Sequence, residues 1–136
     1  MDPALVERKL ESLDRCIQRI NEKYPEAADR LAEDYDRQDI ISVNLERAVQ
    51  SCIDIASHLL ASGRLPLPTS AADTFRALAA EGVLNTALAE EMARAVGLRN
   101  IAVHEYSRLD WEQIHEYLPH ALHDLREFAR VVVARL

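Results

Sequence analysis

Apolar residues recur along most of this chain at alternating steps of four and three, the spacing that lines one side of an α-helix. The first such run is Val6, Leu10, Leu13, Ile17, Ile20 and Tyr24. Asp2 before Pro3 supplies its N-cap and a first-turn proline whose missing N–H costs nothing, and Tyr24-Pro25 ends or kinks it. A shorter acidic helical segment passes through Ala28, Leu31, Ala32 and Tyr35, with residues 34–38 read as a turn. From about Asp39 to Ser62, Ile41, Leu45, Ala48, Cys52, Ile55 or Ala56, and Leu59 repeat the rhythm. Gly63 is expected just past the end of that helix as its C′ residue. Its opposite face, Arg47, Ser51, Asp54 and His58, reads as an ordinary solvent-facing stripe.

Leu65-Pro66-Leu67-Pro68 is a stiff surface crossover, too short to separate domains. Thr69 or Ser70 then caps a short helix through Phe75 and Leu78 that Gly82 stops, and Asn85 or Thr86 caps the next. Asp110 with Gln113 resembles a capping box for a last helix with an apolar face of Ile114, Leu118, Ala121, Leu125, Phe128 and Val132. Pro119 is expected to restart that helix one or two turns in. The sum is an all-α chain of five or six helices: a bundle with a four-helix-like core and one or two short additions.

Composition narrows the reading further. A length of 136 residues fits a single domain spanning 1–136, and the sparse Gly (3) and Pro (5) agree with helix. The net charge of −7 argues against a surface that coats nucleic acid, because that affinity comes from Lys and Arg neutralising phosphates. Charge is uneven, however. Residues 92–108 carry Arg94, Arg99 and Arg108 against Glu105 alone, whereas the first 36 residues hold ten acids and six Lys or Arg. Cys16 and Cys52 fall on apolar stripes and read as reduced core residues. His115, His120 and His123 read as surface histidines rather than metal ligands, and Trp111 and Tyr117 as packing residues. With neither a signal-like opening nor a long apolar run, the expected setting is the cytoplasm, without membrane, metal or cofactor. Gly-rich phosphate loops, serine elbows and paired-cysteine motifs are absent from the sequence.

The stretch that carries chemistry is Arg99-Asn100-Ile101-Ala102-Val103-His104-Glu105-Tyr106. Arg99 fills the vacant position in the apolar line Ala89, Met92, Val96, Val103, so its guanidinium points toward packed surface and needs a carboxylate, a subunit interface or an anionic ligand. Asp54 is a candidate partner for Arg99 or His104 from the adjoining helix. His104 sits about 140° around an ideal helix from Arg99. Either the helix opens there, or a two-fold axis joins the motifs of two subunits. Asn100, four residues before His104, is placed to orient its ring. Arginine can grip phosphate oxygens in two places, and histidine can take and give protons near neutrality. Together they suit RNA phosphodiester cleavage in which the substrate's own 2′-OH attacks, without metal or protein nucleophile.

Arg99, Asn100 and His104 resemble the Arg-x4–6-His signature of the HEPN superfamily, and Tyr106, two residues after the histidine, resembles its HepT-type toxins. The 45–59 segment and Leu118-Pro119 extend the similarity over nearly the whole chain. The resemblance implies a ribonuclease toxin with Arg99 and His104 as the catalytic pair in the composite cleft of a homodimer, with Asn100 and Asp54 as supporting residues. It also implies a cognate MntA-type nucleotidyltransferase antitoxin that silences the toxin by transferring AMP from ATP to Tyr106. A different class of function, a non-catalytic helical partner of such a nucleotidyltransferase, would use Arg99 and Tyr106 to present or recognise nucleotide without RNA turnover.

Overall fold

In the computed structural model, which describes residues 1–136, six helices follow one another: α1 (Pro3–Lys23), α2 (Ala28–Glu33), α3 (Tyr35–Ser62), α4 (Ala71–Ala80), α5 (Thr86–His104) and α6 (Trp111–Val133). A single 3-10 turn, Tyr106–Arg108, separates the last two. The apolar rhythm marked the long helices α1, α3, α5 and α6, and α2 and α4 are the short additions. Their apolar faces meet in one continuous core in which Leu13, Ile20, Ile41, Ile55, Met92 and Leu125 are fully enclosed. Each such side chain contributes about 1.5–3 kcal/mol by leaving water, so burial of these stripes is the main force holding the helices together. α1 lies along α3 and α4 along α5, while Phe75 of α4 meets Phe128 of α6 edge to face at 5.5 Å. Cys16 and Cys52 are buried and unbridged.

Capping residues set the helix starts. Asp2, Ser70, Asn85 and Asp110 each accept a hydrogen bond from backbone N–H groups in the first turn that follows. The expected turn at 34–38 does not form. Asp34 caps α3 by accepting from the Arg37 N–H at 3.1 Å, and the buried Gln38 amide donates to the carbonyls of Leu31 and Ala32 at 2.9 and 3.0 Å. The end of α2 is thus satisfied by the beginning of α3, which starts at Tyr35 instead of near Asp39.

At the other end of α3 the left-handed residue is Arg64 (φ 58°), not Gly63. Its N–H bonds to Ala61 O and that of Leu65 to Leu60 O, a Schellman turn one residue later than the glycine. Gly82 (φ 76°) closes α4 in the expected way. The polar stripe of α3 also differs from expectation. Ser51 is buried, the Asp54 carboxylate pairs with Lys9 of α1 at 2.8 Å, and His58 Nε2 accepts the Asp2 N–H at 2.9 Å. Most of that stripe is the polar edge of the α1–α3 contact.

α6 runs through Pro119 without restarting. The proline removes the N–H that would reach the His115 carbonyl, and the Tyr24 hydroxyl donates to that carbonyl instead, at 2.8 Å. His115 is correspondingly not a free surface histidine: its ring stacks on Tyr24 (4.6 Å between centroids) and its Nε2–H donates to Pro25 O at 2.8 Å. The Tyr24-Pro25 break that ends α1 therefore also repairs α6.

Candidate functional site

α5 buries Ala89, Met92 and Val96, and one turn later the same side brings Arg99 against α3. Its Nη2 donates to Gln50 Oε1 at 2.7 Å and its Nη1 to Asn100 Oδ1 at 3.1 Å, while Nε is buried with no partner in the chain. Behind this contact, Gln50 Nε2 donates to Asp54 Oδ1 at 2.8 Å, and Asp54 Oδ2 receives Lys9 Nζ at 2.8 Å. Three expectations change. Asp54 touches neither Arg99 nor His104 and reaches the arginine only through Gln50. Asn100 holds Arg99 rather than the His104 ring. Val103 is 45% exposed, because α5 is about to leave the core, so the apolar line stops at Arg99. The guanidinium is gripped by two neutral amide oxygens, and no carboxylate cancels its charge directly.

His104 is the last residue of α5 and is exposed, with the Glu105 N–H closing the helix on Ile101 O at 2.8 Å. The helix opens at the histidine, as one of the two possibilities from sequence required. Even so, Arg99 faces α3 while His104 stands on the solvent side. Gly97 and Asn100 are also exposed at helical steps of three and four leading to His104, and a Cβ built on Gly97 would meet nothing within 4 Å.

Tyr106 begins the 3-10 turn and is 38% exposed. Its hydroxyl donates to Asp39 Oδ1 of α3 at 2.7 Å, and its ring packs edge-on against Trp111 at 5.9 Å. Partial burial, reinforced by the Asp39 hydrogen bond, holds the phenol above its ordinary pKa, with the nearby Ser42 hydroxyl acting in the other direction. Arg108 pairs with Glu105 across the turn, and Arg94 lies over the Tyr117 ring at 5.0 Å from its centroid. Of the three local arginines, Arg99 is the one without a carboxylate or an aromatic ring as its partner. The groove of about 1040 Å³ between α5 and α6, walled by Arg94, Leu98, Ile101, Leu109, Tyr117 and His120, does not include Arg99, His104 or Tyr106. Burial there pushes the Tyr117 phenol up to about 12.

Gln50 and Asp39 escaped the sequence reading. Each lies far along the chain from the residue it holds, and only packing of α3 against the α5–α6 corner brings them in. No three His, Cys, Asp or Glu side chains converge to hold a metal ion, and no helix is long and apolar enough to cross a membrane.

This scaffold, an all-α bundle with an Arg-x4-His-x-Tyr motif where its penultimate helix ends, has close counterparts. The family model described as ribonuclease HepT-like matches residues 13–132. The mRNA nuclease HepT of Shewanella oneidensis is 34% identical over 130 residues, covering 96% of this chain and 97% of that protein. The tRNA nuclease HepT of Aphanizomenon flos-aquae is 26% identical over 132 residues, covering 97% and 90%. The solved structure of a tri-AMPylated Shewanella oneidensis HEPN toxin in complex with an MNT antitoxin superposes with a TM-score of 0.91 at 34% identity, covering 98% of this chain and 99% of that one. The chain belongs to the ribonuclease HepT-like family and has the all-α HEPN fold.

Proposed function

We propose that residues 1–136 act as one HEPN-like unit: a toxin that cleaves RNA as a homodimer in the cytoplasm, and that is silenced when an MntA-like antitoxin transfers AMP from ATP to Tyr106. The observation that carries the reading is the state of Arg99, half-buried, held by Gln50 and Asn100, and still a full positive charge one turn and a half before His104.

In the reaction, the 2′-oxygen of a ribose attacks the adjacent phosphorus, forming the 2′-O–P bond as the P–O5′ bond breaks. One proton leaves the 2′-OH and one reaches the departing 5′-oxygen. Arg99 stabilises the charge that grows on the phosphoryl oxygens, and His104 handles the protons. This chemistry needs no metal and no cofactor. A two-fold cleft supplies what one subunit lacks, since Arg99 and His104 leave α5 on different sides. The exposed Gly97 supports such a cleft. A glycine in a helix interior costs about 1 kcal/mol relative to alanine, and nothing inside the monomer requires one there, whereas a second helix approaching closely would. Asn100 supports Arg99 directly and Asp54 does so at one remove.

Tyr106 fits the regulatory role because its ring is partly exposed two residues past His104. Its oxygen would attack the α-phosphorus of ATP, forming the phenol–phosphate bond as pyrophosphate leaves. The new phosphodiester beside Arg99 and His104 occupies the place of RNA and repels it.

Purified wild-type protein should cleave RNA with chelator present, and His104→Ala should abolish cleavage while leaving the helical fold intact. Undiminished cleavage by that variant would remove His104 from the mechanism. Absence of turnover by the unmodified wild type would instead favour the non-catalytic partner. Intact mass after incubation with the nucleotidyltransferase and ATP should rise by whole AMP units, and Tyr106→Phe should block the gain.

A further inference from the structure

We propose that Gln50 is a positioning residue for Arg99, one that fixes the guanidinium in place without neutralising it. The inference rests on the reading above that Arg99 meets the RNA phosphate.

The geometry leaves Gln50 one orientation. Asp54 as a carboxylate only accepts hydrogen bonds and Arg99 only donates them, so the amide must turn its NH2 to the first and its oxygen to the second. The distances of 2.8 and 2.7 Å match that arrangement. Gln50 thus stands as a polar spacer between a carboxylate and a guanidinium. Asp54 is further occupied by Lys9 at 2.8 Å, so its charge is drawn toward α1. A carboxylate at position 50 would grip Arg99 more strongly, yet an approaching phosphate would then meet a neutral pair instead of a cation. The site needs both a firm hold and an intact charge, and an amide held by its far end provides both. Asn100, the other contact of Arg99, is also an amide.

Three variants of the full-length protein separate this role from a structural one: Gln50→Glu, Gln50→Ala, and Gln50→Glu combined with Asp54→Asn. The probes are a mixed-sequence RNA oligonucleotide for cleavage and its all-deoxy counterpart, which lacks the 2′-OH, for binding without turnover. Gln50→Glu should weaken binding of the deoxy probe about ten- to a hundredfold, the weight of one charge-assisted hydrogen bond, and raise KM. Gln50→Ala keeps the cation but frees it, so binding should stay within a few-fold of wild type while kcat falls about tenfold. In the double variant the amide introduced at position 54 can donate to the carboxylate introduced at position 50. Repulsion between carboxylates is gone, so thermal unfolding should return toward wild type, short of the part-exposed Lys9–Asp54 ion pair that the second substitution removes, and probe binding should stay weak.

Wild-type binding and cleavage by Gln50→Glu would overturn the proposal. So would recovery of both in the double variant, since the loss would then have come from folding. Arg99→Ala is the control that distinguishes the two levels. If it cleaves like wild type, the phosphate-binding reading itself falls; if it is inactive while Gln50→Glu is active, only the assignment of Gln50 falls.

Discussion

Tyr106 shows how much one residue's chemistry depends on its neighbours. Its position two residues past His104 is plain in the sequence, but its hydrogen bond to Asp39 joins residues 67 positions apart. The carboxylate next to the hydroxyl makes phenolate formation harder, adding to the effect of burial. Asp39→Asn should therefore lower the Tyr106 ionisation toward the ordinary tyrosine value of about 10, visible as an earlier phenolate absorbance transition on alkaline titration. An unmoved transition would count against the Asp39 contact. The sign for stability follows from the raised folded pKa. The contribution of the protonated phenol is complete below the unfolded value near 10 and is lost as pH rises through the folded value. Alkaline unfolding of the wild type should thus be steeper over that window than that of Asp39→Asn. Arg99 teaches the same lesson. Its interruption of an apolar stripe was enough to demand a partner, but Gln50, 49 positions away, was chosen by packing.

At the level of elements, the repeating apolar steps placed the four long helices, and short polar residues placed the starts of most of them. Where these readings failed, another part of the chain had supplied a hydrogen bond. Asp34 and Gln38 turned an expected loop into the first turn of α3. Pro119 could stay inside α6 because Tyr24 serves the carbonyl it deprives. That substitution is open to a double-mutant cycle. Tyr24→Phe should cost about 1–2 kcal/mol by leaving the His115 carbonyl unpaired, and the cost should shrink in a Pro119→Ala background, where the restored N–H can take over. Equal costs in both backgrounds, measured by denaturant unfolding, would mean that the hydroxyl does not stand in for the N–H that Pro119 lacks. Arg64, in place of Gly63, at the left-handed end of α3 is a similar case. The two candidates are adjacent, and the final register depends on where Leu65 finds its carbonyl and its apolar contact.

On the scale of the whole molecule, the divergence of Arg99 and His104 around α5 carries a consequence for assembly. If each site takes its arginine from one subunit and its histidine from the other, mixing inactive Arg99→Ala with inactive His104→Ala should restore cleavage. One of the two composite sites in a mixed dimer stays intact, for a recovery of up to about half per mixed dimer. Subunit exchange confirmed by mass, with no activity regained, would place both residues of each site in the same chain. The sequence by itself determined the helical class, most helix boundaries and the identity of the motif, because these depend on local spacing, capping chemistry and residue type. Tertiary structure alone decided what those residues touch: that Arg99 is held by amides instead of Asp54, that Tyr106 is tied to Asp39, and that His115 is a latch and not a surface group. Hydrogen bonds and burial at these places join helices far apart in the chain, and no local period encodes which side chains will face each other once the cores merge.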